Sequence, residues 1–168
     1  MMINNTAQPI QPTSGLFILK IIFATFCMFL GFFGVFVSFW RSNNYSVAPC
    51  VVLEIVCVIL INVNATYKRG KLFDVYSRTK LQIIFILTCI VCALSLVSSI
   101  FFLQNGIRRK QDFHIDYDGY YFAALPSGLA VLNSVLLIFD SRIVRKSCFE
   151  HRKVYVIDPD NGDITHIV

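Results

Sequence analysis

The chain has 168 residues, 56% of them hydrophobic and only 15% charged, with a mean hydropathy of +0.65. That is one domain's length, yet it carries far more apolar surface than a water-soluble core of this size needs. The formal net charge of +5 sits in short basic segments between four nearly uncharged stretches, a pattern that points to a membrane surface and away from nucleic acid.

Residues 1–14 are polar and lack a basic leader region, and the first apolar stretch is too long for a signal-peptide core. The first span is therefore expected to persist in the mature protein. It covers residues 16–40, is crowded with phenylalanine from Phe17 to Phe39, and carries Gly31 and Gly34, where a neighbouring helix can approach closely. A short loop, residues 41–46, contains the sequon Asn44-Tyr45-Ser46, a weak glycosylation candidate because it lies so near the membrane.

The second span covers residues 47–67 and holds Glu54, Asn62 and Asn64. The third covers residues 81–103, with Cys89 and Cys92 expected as small packing residues, since no histidine in any span completes a metal site. The fourth covers residues 120–139. There Ala124 and Gly128 stand four apart as a helix-packing face, Pro126 predicts a kink, and Asn133 adds another intramembrane polar group. Each span is long enough, at about 1.5 Å per residue, to cross hydrocarbon about 30 Å thick.

The expected architecture is an all-α membrane protein, a bundle of four transmembrane helices with short loops. A four-helix domain over residues 15–146 lies between a cytosolic segment, residues 1–14, and a cytosolic tail, residues 147–168. Lysine and arginine set the orientation: ten lie in the loop between spans two and three and in the tail, against four in the other two loops. Both termini are thus expected in the cytosol. The tail begins basic around Cys148, a candidate for palmitoylation, and two β-prone runs after residue 153 suggest a small hairpin.

Glu54 is the costliest residue for a bilayer interior unless it is neutralised or paired. Ser95 and Ser127 lie at similar depth on spans three and four and are its expected partners. At 100° per residue, Asn62 and Asn64 fall about 80° to either side of Glu54, so the three do not line one path. Lys20 and Asp140 share the cytosolic boundary, placed either to pair or to leave Lys20 snorkelling alone, with interface anchoring the preferred reading. The chain shows no nucleophile with a nearby base and no phosphate-binding glycine loop, so no enzyme activity and no cofactor are expected.

The opening Gly15-Leu16-Phe17-Ile18-Leu19-Lys20 and the fourth span, from Tyr121-Phe122-Ala123-Ala124 to Phe139-Asp140, resemble the MARVEL-domain family of four-span proteins. The paired outer-loop cysteines of some junctional members are missing, and Glu54 has no place in the pattern. The resemblance implies cytosolic termini and a non-enzymatic role in vesicle trafficking, membrane apposition or fusion, or cell-junction assembly, at the plasma membrane or endomembrane vesicles. Expected partners are the lipid bilayer, anionic lipid at the cytosolic face, other membrane proteins or a second copy, and a cytosolic partner of the tail. Two other readings stand beside it: an accessory subunit of a channel or transporter, binding through Glu54 or the Gly31/Gly34 face, and a small carrier using Glu54 for proton coupling.

Overall fold

A computed structural model describes residues 15–69, 75–116, 119–152, 156–157 and 164–165. Among them are helices α1 (Gly15–Trp40), α2 (Asn44–Lys68), α3 (Arg78–Arg108) and α4 (Tyr120–Arg152), and all four are long and apolar enough to cross a membrane. The last short elements are strands β1 (Val156–Ile157) and β2 (Ile164–Thr165), paired antiparallel with Val156 opposite Thr165. The residues that would form the turn of the expected tail hairpin lie outside the described ones.

Helix ends differ from span ends. Asparagine at position 43 starts α2 three residues before the apolar run, its side-chain oxygen accepting from the Ser46 amide at 3.3 Å. Helix α3 continues five residues beyond the expected span, to Arg108, and α4 runs through Arg152, so residue 146 lies inside a helix. Hydropathy falls after Phe139, but residues 140–152 contain no glycine or proline to break the backbone ladder. Pro126 sits inside α4 and Pro49 inside α2, and both helices continue through them.

Two helices stop by the same device. Ser42 adopts φ 55° and Lys110 φ 48°, the left-handed region that glycine usually fills at a helix terminus. After α1 the Asn43 amide donates to Ser38 O and the Ser42 amide to Phe39 O; after α3 the Gln111 amide donates to Gly106 O and the Lys110 amide to Ile107 O. Each is the paired closure of a Schellman motif, and together they turn the chain sharply at the same end of the bundle.

Helix α1 packs on α2, α2 on α4, and α4 on α3. Far more of the apolar stretch of α4 is buried than of α3, so α4 is an inner member and α3 an outer one. Between α1, α2 and α4 lie two small cores, Ala24 with Leu60, Val63 and Leu137, and Cys27 with Leu53, Cys57 and Ala130. Phe26, Phe29, Phe33, Phe36 and Phe39 point outward from α1. Such an apolar exterior suits lipid rather than water.

Candidate functional site

Two hydrogen-bonded polar clusters stand at opposite ends of the bundle. At one end, Lys20 of α1 donates to Asp140 Oδ1 of α4 at 2.7 Å, and Asn64 of α2 donates to Asp140 Oδ2 at 2.9 Å. The Asn64 amide also donates to Leu60 O at 2.9 Å. The Asp140 side chain is 8% exposed and that of Lys20 is 32%. Three helices thus converge on one carboxylate, both of whose oxygens are engaged. A carboxylate held in this way joins helices and is not presented to a substrate. Of the two readings of Lys20, pairing is the one observed.

At the opposite end Asn43 is fully buried. Its amide nitrogen lies 3.2, 2.9 and 3.3 Å from the carbonyls of Ile115, Asp116 and Gly119, so the turn after α1 is clamped to the segment leading into α4. Beneath it the Ser38 and Ser46 hydroxyls meet at 2.6 Å, linking α1 to α2. Sequence reasoning passed over this cluster because Asn43 lies outside every apolar run; an asparagine just before a helical run is the signal that marks it as a cap. Asn43→Asp keeps the cap acceptor but loses the donor to three carbonyls. We expect it to destabilise the bundle by about 2 kcal/mol, while Asn43→Ser stays closer to Asn43→Ala. Reversible unfolding in mild detergent measures this; an aspartate variant as stable as wild type would show the clamp to be unimportant.

The remaining sequence candidates fall in separate places. Glu54 is partly buried on α2 where α1 approaches, and among the described residues its side chain has no hydrogen bond or ion pair. The expected partnership with Ser95 and Ser127 is not found. The Ser127 hydroxyl donates to Ala123 O at 3.0 Å, and Ser95 lies on α3, which packs on α4 rather than on α2. Asn62 is exposed, accepting from Thr66, so it and Asn64 diverge around the helix. Asn133 is fully buried beside the inner core. Its amide donates to Leu129 O, while its Oδ1 and the nearby Ser134 hydroxyl have no partner among the described residues.

Gly31 and Gly34 meet α2. A Cβ at Gly31 would stand 3.0 Å from Cys50 O and 3.2 Å from the Glu54 amide nitrogen, and one at Gly34 would stand 2.6 Å from Cys50 Sγ. This face is occupied by the chain's own second helix. Ala124 is buried on α4, and Gly128 turns toward Ser99 of α3. Asn44 is exposed in the first turn of α2, but Ser46 of its sequon is buried and bonded to Ser38 and to Asn43 O. Cys148 belongs to α4, and its side chain lies outside the described part of the structure. Cys89 and Cys92 are free thiols, and no group of metal-binding residues occurs among the described ones.

Comparison with family models, with curated proteins and with solved structures returns no match.

Proposed function

We propose that this chain is a non-enzymatic, multi-pass membrane-organising protein with both termini in the cytosol, acting in vesicle trafficking, membrane apposition or fusion, or cell-junction assembly. One observation carries the reading. The polar clusters at the two ends, Lys20–Asp140–Asn64 at one and Asn43 with Ser38 and Ser46 at the other, tie the helices to one another, while the outward faces of α1 and α3 are apolar. A bundle built this way spends its polar chemistry on its own shape and offers its neighbours a surface for lateral packing.

Its basic residues support the orientation. Lys68, Lys80 and Arg142 are exposed at the Lys20 end; Lys68 lies over the Phe17 ring at 5.6 Å and Arg142 over Phe85 at 5.5 Å. Cations resting on aromatic rings at a membrane boundary are positioned to grip anionic headgroups of the cytosolic leaflet. The MARVEL-like resemblance favours the same role, and the residues beyond α4 would recruit a cytosolic partner.

Glu54 favours a second reading, an accessory subunit of a channel or transporter. A partly buried carboxylate with no partner on its own chain is satisfied if a helix of another protein supplies a donor. The carrier reading needs a continuous polar path, and Asn62 and Asn64 leave Glu54 in opposite directions.

The deciding experiment is affinity purification from mild detergent with mass spectrometry, comparing wild type with Glu54→Gln. Recovery of further copies with trafficking or junction proteins, unchanged in the variant, is the expected result. Stoichiometric recovery of one channel or transporter, lost in the variant, would overturn it in favour of the accessory subunit.

A further inference from the structure

Residues of α3, of α4 and of the connection between them line a shallow, open groove of about 650 Å³. Its floor is apolar and made of small or aliphatic residues, Leu103 of α3 with Ala124 and Gly128 of α4. Its mouth is of different chemistry: Asp112, Phe113 and Tyr121 stand there together. Tyr121, Ala124 and Gly128 follow one another at three- and four-residue spacing, so mouth and floor form one stripe along α4, about 10 Å from end to end.

We propose that this groove holds a phosphocholine lipid of the adjoining leaflet, its acyl chain along the floor and its trimethylammonium group at the mouth. Charge supplies the first argument. The Asp112 carboxylate is exposed and forms no ion pair among the described residues, whereas Asp116, four residues on, is paired with Arg41 at 3.5 Å. An unmatched carboxylate beside two aromatic rings is the setting that a quaternary ammonium fits, because that cation needs charge and π-faces but no hydrogen bonds. Lys110, exposed, comes two residues before Asp112 and supplies positive charge for the phosphate of the same headgroup, while the Arg109 guanidinium lies over the Tyr120 ring at 4.9 Å. The alternation of signs matches a zwitterion and disfavours a purely anionic lipid.

Shape supplies the second. A helix from a partner protein would run on past the mouth and meet Asp112, whereas a lipid ends there in its own charged head. The Tyr121 ring is also pre-positioned: it rests on Gly106 of α3, where a Cβ would stand only 2.9 Å from it. Pre-organised aromatic walls lower the ordering cost of binding.

The test is native mass spectrometry of the full chain in mild detergent, after incubation with phosphatidylcholine, phosphatidylethanolamine or phosphatidylglycerol of identical acyl chains. Wild type should retain the choline lipid over the other two by several-fold. Asp112→Asn, a change at an exposed loop position, should remove that preference, and Gly128→Leu should reduce retention of all three by filling the floor. Should Gly128→Leu fail to fold, Asp112→Asn carries the test alone. Equal retention of the three lipids, a preference for ethanolamine over choline, or undiminished choline retention in Asp112→Asn would each overturn the proposal.

Discussion

Replacing Lys20 by methionine should destabilise the protein more than replacing Asp140 by asparagine, although the two residues form a single ion pair. Lys20→Met strands a carboxylate whose side chain is 8% exposed, with only the Asn64 amide left to it. Removing one partner of a buried pair costs about 3 kcal/mol, chiefly through the charge left behind. In Asp140→Asn the stranded group is Lys20, 32% exposed and near the end of α1, and its flexible stem can carry the ammonium to water or headgroup phosphate. That variant should lose about 1 kcal/mol, because the residual charge is solvated. The double variant Lys20→Met/Asp140→Asn should be more stable than Lys20→Met alone, since it leaves no unpaired charge. Unfolding of the four proteins in mixed detergent measures the cycle. An equal loss in both single variants, or strict additivity in the double one, would remove the carboxylate from its place at the junction of the three helices.

Gly34→Ala should also be costly, and curable from the other helix. Its new methyl would stand 2.6 Å from Cys50 Sγ, an overlap of the kind that costs about 1–3 kcal/mol in a packed interior. Cys50→Ala removes the offending sulfur and should restore most of the loss. Gly31→Ala meets backbone instead, with Cys50 O at 3.0 Å and the Glu54 nitrogen at 3.2 Å, so no side-chain deletion at position 50 should relieve it. The contrast between a curable and an incurable substitution three residues apart tests the α1–α2 seam directly. If Cys50→Ala rescues both variants, or neither, the two helices do not meet in the register described.

The spans were legible in the sequence because each is a run of roughly twenty residues nearly free of charge, a signal that needs no knowledge of neighbours. Helix ends were less so, since hydropathy reports where lipid would end and hydrogen bonding decides where the helix ends; Arg145 and Lys146 are charged and helical at once. Gly31 and Gly34 announced a close approach, but only packing shows that α2 takes it. Asp140 and Asn64 were each visible, separated by 76 positions. Their meeting depends on α4 lying against α2, which periodicity within one helix does not encode. The same ignorance of azimuth assigned Ser95 and Ser127 to Glu54 by depth alone. Depth can be counted along a helix, whereas the direction a residue faces depends on which helices are neighbours.

That neighbour order bears on how the protein is made. A ribosome delivers α1 and α2 first, and these can close on each other at once through the glycine seam. Helix α3 then emerges with little to hold it, because its main contact, α4, has yet to be synthesised. The Asp140 junction waits for that last helix and the Asn43 clamp for the segment just before it, so α3 has the least of its own chain to lie against until the final segment arrives and unites the two halves.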